Sequence, residues 1–285
     1  MTRLYGCIAG PSWLSLKREV FTATHRGIGN VEGKVFRRWL QWVAMSEDAI
    51  DTDVPQDLDE RPWLTRILSR AGDVLKRNLV PGLILQVFVI AVVGSYYTIE
   101  PIKAMFDEVA QIKLSYGFVF SAISTAIFGG LIPFLVQKSR PKYRKLMPTS
   151  HVWFFVILWG LKGLEVDLLY RCQAMMFGEG KDFWTLLSKT VFDQLVYVPI
   201  WGLTSCAILM TWRQCGFSFS RTRTVLSNKR WWTDNLMVMM LPNWLIWVVA
   251  VVAIYCLPLA LQLPVQNLVL CFWCILLIFL ADESM

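Results

Sequence analysis

Between Asn235 and Leu280 the chain runs for 46 residues without Asp, Glu, Lys or Arg. A soluble fold has no use for such a run, because a helix that is apolar all round has no face left for water. A bilayer accommodates it. The hydrocarbon core is about 30 Å thick and takes ~20 apolar residues per crossing helix. The run is too long for one crossing, and Pro258 and Pro264 bracket a break in it. A helix interior tolerates Pro poorly, so the pattern predicts two spans, near 236–257 and 264–281.

Four further spans follow from the same reasoning. Leu79–Ile99 is uncharged over 21 residues, roughly 31 Å of helix. Leu114–Val136 is also uncharged and carries Gly117, Gly129, Gly130 and Pro133; small residues let helices approach closely in lipid. The segment 151–170 has ten apolar residues before Lys162, Glu165 and Asp167. The segment 190–212 contains Asp193, Gln194 and Pro199. The expected fold is all-α: a polytopic transmembrane helical bundle of about six spans over residues 79–285. Its composition agrees, with 55% hydrophobic residues and a mean hydropathy of +0.47.

Residues 1–78 read as a polar N-terminal arm. Phe36, Trp39, Leu40 and Val43 recur at helical spacing beside Arg37 and Arg38, as in a short interfacial helix. Residues 47–60 carry seven acids and no base, as in a solvated linker. Trp63, Leu64, Ile67, Leu68, Ala71 and Leu75 form a second amphipathic stretch leading to Lys76 and Arg77 at a membrane edge. Residues 1–30 lack the apolar core of a secretory signal.

The net charge of +7 is loop charge, since Lys and Arg fall between the apolar blocks. The arm holds twelve, residues 137–150 five and 213–235 five, against two in 100–113, three in 171–189 and none in 258–263. The positive-inside rule then places both termini on the cytoplasm-like side. Basic residues scattered along membrane edges do not make a nucleic-acid surface. The lipid bilayer is the expected partner; a homo-oligomer and a soluble partner held by the arm are both compatible.

No enzyme chemistry is indicated. His25 and His151 are the only histidines, and neither neighbours a nucleophile–base pattern. Cys271 and Cys274 form a C-x-x-C inside an apolar run, where they read as small apolar residues one turn apart. No catalytic residue, cofactor or metal is expected.

The informative residues are charges inside spans, which cost about 2.5–3.5 kcal/mol each unless they face protein or water. Lys162 and Glu165 can pair at i,i+3, and Asp167 and Arg171 at i,i+4. On a helical wheel Asp193, Tyr197, Thr204 and Thr211 share one stripe, and Gln194 and Ser205 a second row. Pro199 frees the carbonyl of Leu195 and predicts a kink. Such a stripe serves either a water-lined solute path or a hydrogen-bonded helix contact.

The run Asp193-Gln194-Leu195-Val196-Tyr197-Val198-Pro199 contains an Asp-Gln-x4-Pro element. Upstream Gly163 and Tyr170 form a Gly-x6-Tyr element; downstream come Trp244 and Trp247, then Pro258-Leu259, Leu263 and Trp273. In this order and spacing, residues 115–281 resemble the Mpv-seventeen / PMP-twenty-two family of small peroxisomal and inner-mitochondrial membrane proteins. The chain departs from that pattern at Val248, where the family has Pro after the second Trp. The resemblance implies a distant, bacterial member in a cytoplasmic membrane, with an organelle inner membrane as the alternative. It also implies a channel or a carrier of small metabolites, with Asp193, Gln194, Pro199, Gly163 and Tyr170 as the motif positions. Together with Tyr197, Thr204, Lys162 and Glu165 these are the candidate pathway residues. The expected function is a channel or transporter for small polar solutes or ions; a structural or scaffolding membrane protein is the alternative.

Overall fold

The computed structural model describes residues 63–141, 148–232, 236 and 238–283. The helix expected near Phe36–Val43, the acidic linker 47–60 and His25 lie outside them. The described residues are helices joined by short turns, with no strand among them. Helix α1 is Trp63–Thr98, so the stretch expected to precede the first span is continuous with it. Then follow α2, Glu100–Thr125, a π-helical stretch Ala126–Leu131, and α3, Ile132–Ser139. Helix α4 is Val152–Phe177 and α5 is Phe183–Val191. A second π stretch, Phe192–Gly202, leads into α6, Leu203–Gln214. Short α7, Phe219–Leu226, precedes α8, Val238–Tyr255, and α9, Leu259–Glu283.

Among the described residues four helical stretches are long and apolar enough to cross a membrane: Leu79–Thr98, Glu100–Ser139, Phe183–Gln214 and Leu259–Phe279. Four of the six expected spans map onto these. The expected third falls on α4, where Lys162, Glu165, Asp167 and Arg171 interrupt the apolar run. The expected fifth falls on α8, Val238–Tyr255, in which Asn243–Tyr255 is a shorter apolar helix.

Both faces of α1 are apolar. Leu85 and Val89 are fully buried, while Leu83, Val87 and Ile90 on the other side are more than half exposed. Apolar surface on the outside of a bundle is what lipid covers. Aromatic residues stand exposed at helix starts: Trp153 on α4, Phe183 and Trp184 on α5, Phe219 on α7. Amphipathic rings favour membrane–water interfaces. Asp182 caps α5, accepting from the backbone N–H groups of Trp184 and Thr185. The Thr185 hydroxyl, then the Thr185 backbone, holds the Asp182 carboxyl below the usual carboxylate range.

Side-chain contacts fix the helix directions. Gln86 Nε2 donates to the carbonyl of Leu245 (2.9 Å) and Tyr97 OH to that of Cys256 (2.5 Å), the same offset of 159 residues, so α1 and α8 run parallel. Thr125 pairs with Asn267, and Arg140 stacks on Phe279, so α2–α3 and α9 run parallel as well. Lys113 meets Asp167 and Phe134 meets Phe155, so α4 lies antiparallel to α2–α3. Lys162 meets Ser205 and Glu165 meets Tyr197, so the π–α6 rod lies antiparallel to α4. It is also antiparallel to α8, through Ala207 with Met240 and Asp193 with Tyr255.

Glycines set the closest of these contacts. A Cβ on Gly163 would lie 2.3 Å from the Ser121 carbonyl oxygen, and one on Gly130 2.8 Å from that of Phe155. Backbone is in the way, so a methyl group at either position forces α4 away from α2. Gly117 breaks α2 with φ +52°, a conformation glycine adopts freely.

Gly163→Ala is therefore expected to lower the unfolding temperature in detergent, at a cost of about 1–3 kcal/mol. Gly94→Ala, which meets nothing within 4 Å, should change stability by less than about 0.5 kcal/mol. Equal effects at the two positions would show that the α2–α4 contact yields.

Candidate functional site

Three polar clusters lie along α4 and its neighbours. The first joins α2 to α4. Lys113 Nζ donates to Asp167 Oδ2 (2.5 Å), Ser121 Oγ (2.6 Å) and the Gly117 carbonyl (3.3 Å). Ser121 Oγ also donates to Asp167 Oδ2 (2.8 Å), and Arg171 Nε reaches Oδ1 at 3.3 Å. The Gly117 break in α2 thus finds donors for its carbonyl in the same cluster. The expected Asp167–Arg171 pair is present, but Lys113 makes the shorter, buried contact.

The second cluster joins α4 to the second π stretch and α6. Lys162 Nζ lies 2.8 and 2.9 Å from the Glu165 carboxylate oxygens, 2.6 Å from Ser205 Oγ and 3.2 Å from the Gly202 carbonyl. Tyr197 OH donates to Glu165 Oε1. The Lys162–Glu165 pair matches its expected spacing, and its remaining bonding capacity goes to the neighbouring helix.

The third cluster surrounds Asp193, which is 5% exposed. Tyr255 OH donates to Asp193 Oδ2 (2.7 Å), while Oδ1 meets only Gln194 Nε2, at 3.5 Å. Tyr170 packs edge-to-face on Tyr255 and donates to Gln266 Oε1 (3.2 Å).

The π geometry explains how this end of the helix is held. In a π turn the hydrogen bond runs five residues back, so the N–H that Pro199 lacks is missed by the carbonyl of Gln194. Trp244 Nε1 donates to that carbonyl at 2.8 Å. The backbone break expected at Leu195 is thus displaced by one residue, and an indole from α8 fills it. The wider turns also redirect the stripe. Asp193 and Tyr197 point inward, whereas Thr204 Oγ1 donates to the Pro199 carbonyl (2.5 Å) and Thr211 Oγ1 to that of Ala207 (2.8 Å).

Between α2, α4, the π–α6 rod, α8 and α9 lies a cavity of about 210 Å³. Of the expected pathway residues, Lys162, Tyr170, Asp193, Gln194 and Tyr197 line it. Glu165 stands behind Lys162. Gly163 sits in the α2–α4 contact, Pro199 is at the helix distortion, and Thr204 serves the backbone. Sequence reasoning did not single out Thr125, Trp159, Gln266 and Asn267, which also line the cavity. Gln266 and Asn267 had a legible signal, two adjacent amides in an uncharged span. His151 packs edge-to-face on Phe217, away from this lining.

Two stability measurements probe these clusters. Lys113→Met leaves the buried Asp167 with Ser121 and the half-exposed Arg171 alone and should cost up to about 3–5 kcal/mol, much of it recovered when Asp167→Leu is added. Trp244→Phe leaves the Gln194 carbonyl without a donor and should cost about 1–3 kcal/mol. Pro199→Ala restores an N–H, so Trp244→Phe should cost less in that background; a double-mutant cycle by thermal unfolding with no coupling would refute the link. No protein family, no curated protein and no solved structure matches this chain.

Proposed function

We propose that the chain is a six-span membrane protein whose cavity binds a small polar solute and passes it across the bilayer, as a channel or transporter. The observation that carries this reading is Asp193: a buried carboxylate that faces open volume instead of a cation. A group needed only to fasten helices would be matched by a partner, as Asp167 is by Lys113, because an unmatched buried charge is costly.

Helix directions support six crossings. Spans one and five must run parallel, as must two and six, and successive spans must alternate. The parallel pairs α1/α8 and α2–α3/α9 and the antiparallel contacts of α4 and the π–α6 rod have that pattern. In this reading α4 crosses with its charges turned inward, and both termini lie on the cytoplasm-like side. The resemblance to the Mpv-seventeen / PMP-twenty-two family agrees with a small multi-pass carrier, in a bacterial cytoplasmic membrane or an organelle inner membrane.

A scaffolding role is the second reading, favoured by the fully bonded Lys113–Asp167 and Lys162–Glu165 clusters, which fasten helices without need of a solute. In that case the arm recruits a soluble partner. Flux from liposomes holding the purified full-length protein separates the two. Transport predicts flux above empty liposomes, reduced about tenfold or more by Asp193→Asn, a change of at least ~1.4 kcal/mol. Scaffolding predicts no flux, with capture of a partner lost on deleting residues 1–60. Flux unchanged in the Asn variant removes Asp193 from the mechanism.

A further inference from the structure

The polar groups on the cavity wall are unequally supplied with partners. Lys162 is neutralised by Glu165 and uses its remaining donors on Ser205 and Gly202. Tyr170 and Tyr197 have given their protons to Gln266 and Glu165. What remains short of partners next to Asp193 is acceptors. Asp193 Oδ1 has one bond, at 3.5 Å, and no Lys, Arg or His among the described residues forms an ion pair with Asp193. The buried Gln194 Oε1 has no partner. Its assignment as oxygen follows from the amide nitrogen facing the carboxylate.

Formal charge points the same way. Lys162 and Glu165 cancel, leaving the single negative charge of Asp193. The walls are aromatic: Trp159, Trp247 and Trp273 with Tyr170 and Tyr197. Ring faces attract cations, the more so when the pair is desolvated. Anions find no uncompensated cation on this wall.

We infer that this cavity is a binding site for a small organic cation carrying N–H donors, held by Asp193 and Gln194 against the aromatic walls. The inference rests on the cavity being the solute site proposed above and names the class of solute. The volume of about 210 Å³ has room for a small amine or guanidine compound. One donor in the lining, Trp159 Nε1, also lacks a partner, so a hydroxyl or carbonyl elsewhere on the cation would be met. An incoming N–H cation offsets the desolvation of Asp193, which among the described residues has hydrogen-bond donors but no paired cation.

The test uses purified full-length protein in detergent and calorimetric titration with methylguanidinium, its neutral isostere methylurea, acetate, sodium and ammonium ion. Methylguanidinium should bind at least about tenfold more tightly than methylurea or acetate, and more tightly than either inorganic cation. Asp193→Asn should abolish the advantage over methylurea, Asp193→Glu should retain it, and Trp247→Leu should weaken methylguanidinium more than ammonium ion. Equal binding of methylguanidinium and methylurea overturns the inference, as does a preference that survives Asp193→Asn, or one for sodium or ammonium alone. Should the Asn variant not fold, the wild-type ranking decides by itself. Flux of the same solutes through liposomes keeps the two proposals apart. Selective binding without flux sinks transport and leaves the cation site; acetate flux equal to methylguanidinium flux sinks the cation site and leaves transport.

Discussion

Ionisable side chains on an apolar helix must find partners within the protein, because neither lipid nor a dry interior solvates them. Helix α4 carries Lys162, Glu165, Asp167 and Arg171 along a segment too interrupted to read as simply apolar. Asp167 is matched from α2 by Lys113 and Ser121; Lys162 and Glu165 are matched from the next helix by Ser205 and Tyr197. Each match fixes a depth and a direction. Charge on one helix thus sets the register of its two neighbours, and Gly163, with Gly130 on the facing helix, lets the backbones come near enough for the matches to form.

Backbone irregularity follows the same economy of partners. The first π stretch ends just before Pro133, and the second contains Pro199. Near the second, the carbonyl that a π turn leaves open is taken by Trp244, and the carbonyl of Pro199 itself is taken by Thr204. Hydrogen-bonding capacity lost from the helix ladder is replaced by side chains, as lipid requires. The consequence is geometric. A wider turn brings Asp193 and Tyr197 to the cavity and turns Thr204 and Thr211 back on their own helix.

Much of this could be read from residue spacing and some could not. The all-helical class and the apolar segments expected at 79–99 and 264–281 followed from length and charge alone, but the last helix already begins at Leu259 and carries Pro264 inside it, so the expected break ends at Pro258. The Lys162–Glu165 pair was legible because i,i+3 spacing is local. Lys113 was not, since its partner lies 54 residues away and its own position resembles a loop end. The stripe on the fourth span was drawn on an α-helical wheel, and the π geometry undoes that wheel beyond Pro199. Gly117 was legible as a small residue in a span but not as a helix break, because the Lys113 donor that meets its carbonyl is placed there by Asp167 on another helix. The arm's expected helix and acidic linker fall outside the described residues.

The contrast between the clusters bears on why a chain would keep an acid at position 193. Where a charge fastens helices, its partners are complete: Lys113, Asp167 and Lys162 each meet two or more groups. Removing such a pair in favour of well-packed apolar residues is often neutral or stabilising, so fastening alone is a weak reason to retain charge. Asp193 fastens its helix to α8 through Tyr255 alone and pairs with no cation among the described residues. It accepts one strong bond, from Tyr255, and beside it Gln194 keeps an oxygen without a donor while its nitrogen faces the carboxylate. A bundle selected only for stability would fill the 210 Å³ beside them, since empty volume next to unmet polar groups is costly on both counts. The arrangement makes sense when the missing partner arrives from outside the chain and leaves again.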